Sequence, residues 1–161
     1  MTPKTLSRWL KCILFVVGLC GLIVYAVVVP MYGDHLRTLY PEFSNRFLPW
    51  LIFLWASGIP CFTVLVFAWR IATNIEKDQC FSNQNARLLK WISILSATDA
   101  AFFFVGNVLL LLLNMSHPGV VLASLVIVFV GVAFAAVSTV LSYFVKKAAV
   151  LQEQSDLKII Y

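Results

Sequence analysis

A single acidic side chain, Asp99, lies inside the hydrophobic stretches of this chain, within Ser96-Ala97-Thr98-Asp99-Ala100-Ala101-Phe102. A carboxylate at bilayer depth costs roughly 2.5–3.5 kcal/mol on insertion scales, so the group must be neutral, compensated or in use. One chemistry is a proton, cation or ligand site. The other is a structural carboxyl, protonated and hydrogen-bonded across the third and fourth spans. Counting from residues that mark the inner interface gives its neighbours. Asp99 stands eight residues beyond Trp91, about 12 Å at 1.5 Å per residue. The same offset from Lys146 reaches Ser138, from Trp69 it reaches Cys61 beside Pro60, and from Lys11 it reaches Leu19 beside Cys20. Pro60 withdraws the helical donor of the Ala56 carbonyl. Ser57 and Thr63 lie close by, and Ser142 is one turn below Ser138. The expected intramembrane polar site is therefore Asp99, Ser138, Ser142 and Ser57. A pump needs several ionisable groups along a path, and the spans hold no second acidic or basic one.

Other reactive residues do not assemble into a catalytic pattern. His35 and His117 are isolated in outer connections, with no carboxylate or cysteine at metal-ligand spacing, so no metal site is expected. The cysteines at 12, 20, 61 and 80 include no CxxC pair and none in an outer loop, which excludes an external disulfide and argues against a membrane thiol oxidoreductase. P-loop, GxSxG and HExxH motifs are absent. No catalytic residue and no cofactor is assigned. Asn74, Glu76, Asn85 and Arg87 form an inner polar cluster. The small four-helix glutathione and eicosanoid transferases of membranes use a similar cluster, but its spacing is not reproduced. A membrane-embedded transferase-like enzyme is accordingly the third reading.

The elements that must position these groups are transmembrane helices. The chain has 161 residues and is 61% hydrophobic, with a mean hydropathy of +0.93. That excludes an ordinary soluble domain. Charge-free stretches place spans at about 12–31, 47–69, 91–115 and 118–145, the last two divided by the turn residues Asn114-Met115-Ser116-His117-Pro118-Gly119. The expected fold is one all-α membrane domain over residues 1–161, an antiparallel four-transmembrane-helix bundle. Ten Lys and Arg residues fall on the side of both termini and only Arg37 and Arg46 on the other. This bias puts the termini in the cytoplasm, as in a multi-pass protein of the bacterial inner membrane. The net charge of +5 is thus mainly an orientation signal, and direct nucleic-acid binding is not expected. The basic N-terminus is not a cleaved leader, because its apolar run is too long and Val27-Val28-Val29-Pro30 lacks a small-residue cleavage site. Small-residue pairs Gly131–Ala135 and Ala135–Thr139 permit close packing within the bundle or in a homo-oligomer.

Two cytoplasmic segments remain, a hairpin over about 70–90 and a tail over 146–161. Ser82 is a good N-cap with Asn85 three residues on, so the third helix should begin near Asn83, and the second should overrun to about Glu76. The tail alternates incompletely through Leu157-Lys158-Ile159-Ile160, which predicts a short extended segment that docks on the hairpin or adds to a partner by backbone pairing.

The stretch Ile75–Ile92, in which Phe81-Ser82 is followed by Asn85-Ala86 and then Leu88, resembles the inner-loop signature of the YoaS-like bacterial membrane proteins, a family catalogued as a domain of unknown function. The tail Leu151-Gln152-Glu153-Gln154-Ser155-Asp156-Leu157-Lys158-Ile159 is similar to that family's C-terminal signature, which is acidic, bears glutamine and closes on Asp-Leu-polar-Ile. The four-span plan matches over nearly the whole chain. The chain departs from the pattern at Cys80, where proline is expected, and by continuing through Ile160 and Tyr161. The resemblance implies no established activity. It implies a neighbouring small helix-turn-helix regulator, which a membrane protein could hold at the inner surface. Phe81, Ser82, Asn85, Arg87, Asp156, Leu157 and Ile159 would then be the partner-binding residues, and the other partner is the lipid bilayer. The leading expectation is a non-enzymatic regulatory or scaffolding protein, ahead of a small transport or ligand-binding bundle centred on Asp99.

Overall fold

The computed structural model describes residues 2–39, 47–116 and 118–159, with side chains described for these apart from residues 36, 37, 39, 118 and 156–159. All the described elements are helical: α1 (Pro3–Ile23), a π-helical segment (Val24–Val28), α2 (Val29–Leu39), α3 (Phe47–Glu76), α4 (Asn83–Leu112) and α5 (Pro118–Ile159). Four helical stretches are long and apolar enough to cross a membrane: Pro3–His35, Phe47–Glu76, Asn83–Leu112 and Gly119–Ser155. An even number of spans returns both termini to one face, the face that carries the excess of Lys and Arg. Cysteine introduced at position 116 should therefore react with an impermeant thiol reagent in intact cells. Native Cys80 should stay unlabelled until the membrane is permeabilised; its labelling in intact cells would reverse the threading.

The π segment has a local cause. Pro30 has no N–H and cannot bond the carbonyl four residues back. Ahead of it the N–H of Val29 bonds the Val24 carbonyl, a wider turn than the α-helical one. The Tyr25 carbonyl loses Val29 as its donor, and five residues on stands the proline. The indole Nε1–H of Trp55 on α3 donates to this orphan at 3.2 Å. Near its N-terminus α1 is tied to α3 again. Ser7 is fully buried and donates to the Ala72 carbonyl at 2.6 Å. Lys11 pairs with Glu76 at 2.5 Å and lies over the Trp69 ring.

The tightest helix pair is α4 with α5, and small residues explain it. Lipid tails are as apolar as leucine, so spans associate through close packing and interhelical hydrogen bonds. Ala86, Ser93, Ala100 and Asn107 recur every seven residues on α4 and are all buried. On α5 the buried residues Ser124, Ala135, Ser138 and Ala149 lie on one heptad-spaced face with Gly131 and Ser142. Ser93 donates to the Ala135 carbonyl at 2.8 Å and shares a hydrogen bond with Thr139 at 2.5 Å, and Ser142 donates to the Ala86 carbonyl at 2.7 Å. A Cβ added to Gly131 would lie 3.2 Å from that of Ala100. The small-residue pairs 131–135 and 135–139 therefore act within the protomer. The α3–α4 seam is filled by rings: Phe53 packs on Phe102 and Phe103 with centroids 5.2 and 5.4 Å apart, and covers Gly106.

The expected all-α, antiparallel, four-span protein is the one observed, but its helices stand in an open row. Among the described residues α1 packs on α3, α3 on α4 and α4 on α5, with no contact that closes α5 against α1. Within the four spanning stretches each helix is apolar nearly all round, which lipid accepts and water would not.

Candidate functional site

The intramembrane site is built mainly from α3, α4 and Tyr25 of the π segment. Asp99 of α4 accepts a hydrogen bond at Oδ2 from the Cys61 thiol of α3 at 3.5 Å. Its other oxygen, Oδ1, is buried and has no hydrogen-bond partner among the described residues. The Tyr25 phenol lies among Ser57, Cys61 and Asp99 and interacts electrostatically with their side chains. Ser57 is buried, and the Tyr25 ring lies over Gly58, where an added Cβ would be 3.2 Å away. The cluster is thus Asp99, Cys61, Ser57 and Tyr25.

Of the residues that the sequence grouped with Asp99, Ser57 lies in this cluster and two serines do not. The α4–α5 contacts set Ala100 beside Gly131, Ser93 beside Ala135 and Ala86 beside Ser142. Asp99 is then level with about Val132. Ser138 lies some six residues nearer the cytoplasm, ~9 Å along the axis, and Ser142 lies farther still. The miscount has a physical source. Lys146 is level with the start of α4 near Ser82, not with Trp91, and so does not mark the membrane boundary. Its long side chain can reach polar surroundings from more than one depth. Cys20 is at a level close to Cys61 and, like it, is exposed, but no hydrogen bond ties it to Asp99, as one does Cys61. Tyr25 was missed. The available signal was a phenol in mid-span, whose hydroxyl needs a partner.

One weak thiol bond does not offset a carboxyl at this depth. Asp99→Asn is expected to leave the fold and thermal stability near those of the parent. Asp99→Leu should raise stability by about 1 kcal/mol, because an unsatisfied buried acceptor is removed. A loss of ~1–2 kcal/mol on denaturation in detergent would instead reveal strong interhelical bonds to the carboxyl.

The hairpin between α3 and α4 is a second polar centre, arranged around Asn85. This side chain is 1% exposed. Its Oδ1 accepts from Asn74 at 2.7 Å, and its Nδ2 donates to the carbonyls of Gln79 and Cys80 at 3.0 and 3.1 Å. Its backbone N–H donates to Ser82 Oγ at 3.2 Å, the expected N-cap of a helix that begins at Asn83. The Asn74 carbonyl also accepts from Lys77 and Gln79 N–H groups, and Asp78 takes φ 62° to complete the turn. Asn85 is therefore a buried latch for the 77–82 turn. That corrects its assignment as a partner-binding residue, since its hydrogen-bonding groups are engaged internally. Phe81 and Arg87 are exposed and Ser82 is half-buried. Ser82→Ala should cost about 1 kcal/mol in equilibrium unfolding. Beside the latch, in the overrun of α3 below Trp69, Lys11 holds the Glu76 carboxyl below its ordinary carboxylate range by hydrogen bonding and charge.

The tail departs from expectation. It is helical, not extended, because α5 runs unbroken to Ile159. The helix formers Ala148-Ala149-Val150-Leu151-Gln152-Glu153-Gln154 contain no glycine or proline to stop it, and their propensity outweighs the incomplete alternation of the last residues. Asp156, Leu157 and Ile159 are on this helix by backbone, and their side chains lie outside the described set. The tail continues α5 as one helix rather than turning back, and of the other described helices α5 contacts α4 alone. Past Ala149 it extends beyond the first residue of α4. No group of three or more potential metal ligands occurs among the described residues.

Comparison with known proteins adds a family and no activity. A family model described as "Protein of unknown function (DUF2975)" matches residues 31–159. The chain is 26% identical over 153 residues to a protein of Bacillus subtilis (strain 168) described as "Uncharacterized membrane protein YoaS", covering 94% of this chain and 96% of that one. No solved structure matches.

Proposed function

The chain belongs to the DUF2975 family of proteins of unknown function, and we propose that it serves there as a non-catalytic membrane scaffold presenting a helix to a soluble partner at the cytoplasmic face. One observation carries this reading. Helix α5 is continuous for 42 residues, from Pro118 to Ile159, about 63 Å at 1.5 Å per residue, against a hydrocarbon core of about 30 Å. The small-residue seam with α4 fixes its direction, and its described cytoplasmic residues Leu151 to Ser155 are exposed. A pre-formed helix loses little conformational entropy on binding, and helix-in-groove recognition replaces strand addition as the mode. The tail residues Asp156, Leu157 and Ile159 would supply contacts, with Phe81, Ser82 and Arg87 on the adjacent hairpin as a second surface. The occupant that the family resemblance implies is a small helix-turn-helix regulator, which would contact DNA itself. Affinity capture of the full chain from native membranes tests the proposal. Co-purification of a soluble DNA-binding protein supports it, and recovery of the chain with lipid alone refutes it.

A second reading rests on the free acceptor of Asp99. A carboxyl whose Oδ1 is buried without a partner among the described residues suits a proton or a ligand donor held in mid-membrane. Under that reading Asp99→Asn abolishes a ligand or proton effect while stability stays unchanged.

A further inference from the structure

We propose that the seam between α1 and α3 is a binding groove for one anionic phospholipid of the cytoplasmic leaflet, with the lipid phosphate at Arg70 and an acyl chain along Phe62 toward Tyr25. Two adjoining apolar depressions form this groove. The inner one is lined by Leu14, Gly18, Leu22, Phe62, Trp69 and Arg70. The outer one is lined by Tyr25, Trp55 and Gly58, and both include Phe62 and Val66. From Trp55 to Arg70 the groove follows α3 for about 22 Å, longer than one leaflet of a ~30 Å core. An acyl chain of the inner leaflet can therefore lie in it along its whole length.

Its shape comes from named residues. Gly18 leaves the floor low: a Cβ there would meet only Leu65, at 3.7 Å. The walls are held at both ends, by the Trp55–Tyr25 carbonyl bond outward and by the Ser7–Ala72 and Lys11–Glu76 contacts inward. No other helix covers it, because α1 is the end of an open row.

The charge at its inner end selects the occupant. Arg70 is exposed and lines the groove. The nearby carboxylate, Glu76, is paired with Lys11 and also feels Arg8 and Lys4. Basic groups outnumber acids at this rim, at the depth where Trp69 and Lys11 mark the interface. A guanidinium there can take two phosphate oxygens at once. Basic pockets between spans on the cytoplasmic side are where anionic headgroups bind.

The test uses the purified full chain in mild detergent, titrated with phosphatidylglycerol or with phosphatidylcholine of the same acyl chains, with binding read by native mass spectrometry. Phosphatidylglycerol should bind about fivefold more tightly, the effect of one basic residue at an anionic headgroup. Arg70→Gln should bring the two affinities together without weakening phosphatidylcholine. Lys147→Gln, at the far end of the row, should leave the fivefold preference intact. Gly18→Leu, with folding checked by circular dichroism, should weaken both lipids by filling the floor. The proposal fails if Arg70→Gln keeps the preference or if Lys147→Gln erases it equally. It also fails if folded Gly18→Leu binds both lipids as the parent does, or if a second copy of the chain occupies the groove in a dimer that Gly18→Leu breaks. Should Gly18→Leu not fold, the Arg70 and Lys147 pair decides alone.

Discussion

Asn85→Ala should destabilise the protein by about 3 kcal/mol, more than any other polar substitution in the cytoplasmic hairpin. Three side-chain hydrogen bonds disappear together, one from Asn74 and two to the carbonyls of Gln79 and Cys80. Leaving buried partners unsatisfied costs about 1–3 kcal/mol each, and water entering a loosened turn returns part of that. Asn85→Asp should be at least as damaging, because it removes both donors and brings a charge against two carbonyl oxygens. The loss should be local in space. The α4–α5 seam is held by Ser93, Ala100 and Ser142 and does not depend on the turn, so membrane insertion should be normal. Two measurements check this. Equilibrium unfolding in mixed detergent should give the free-energy loss. The labelling rate of half-buried Cys80, measured in permeabilised cells, should rise as the turn opens. Phe81→Ala, at a side chain that is 57% exposed, should change stability by no more than about 0.5 kcal/mol. If Asn85→Ala and Phe81→Ala behaved alike, the latch would be of no energetic consequence.

Much of the local structure could be read from residue types because its causes are local. Ser82 with Asn85 is capping chemistry whatever surrounds it, and the third long helix does begin at Asn83. Trp69 and Trp91 stand at matching ends of neighbouring antiparallel helices, so counting inward from them reached both Cys61 and Asp99, which meet at 3.5 Å. The same count failed at Ser138. Its ruler was Lys146, on a helix that continues straight into the cytoplasm and has no feature at the membrane boundary. The open row could not be read at all. Helices that are apolar on every side carry no hydrophobic periodicity to say which face meets protein and which meets lipid, so any signal must come from residue size. The small-residue heptad of Ala86, Ser93, Ala100 and Asn107 was such a signal for one seam, though recognising it requires knowing that small residues, not large ones, mark contact in lipid. The orphan Tyr25 carbonyl was hidden for another reason. Pro30 announces a lost hydrogen bond, but the π turn that moves the orphan back to Tyr25 is a choice of the backbone, and the rescuing Trp55 is thirty residues away.

Deleting residues 152–161 should abolish partner capture while leaving the four spans inserted and as stable as before. The second half of this expectation follows from packing. The α4–α5 seam runs from Ser124 to Ala149, and by Ala149 α5 has passed the first residue of α4, so the deletion begins where α4 no longer runs alongside. Melting in detergent and the thiol-labelling pattern should therefore match those of the full chain. The first half follows from the proposed mode of recognition. If a partner takes hold of a projecting helix, its affinity resides in one face of the last turns, and the deletion takes away the helical residues 152–159, about 12 Å of that helix. A substitution separates helix from sequence. Gln154→Pro introduces a break in the exposed part of α5, at a cost of about 3 kcal/mol to helix continuity there, yet retains every residue from 155 onward. Capture should fall with Gln154→Pro nearly as far as with the deletion if a rigid helix is what the partner reads. If Gln154→Pro captures normally and the deletion does not, the partner reads an extended peptide, and the helical tail is incidental. If the deletion itself retains the partner in full, the tail plays no part, and Phe81 and Arg87 on the hairpin must carry the interaction.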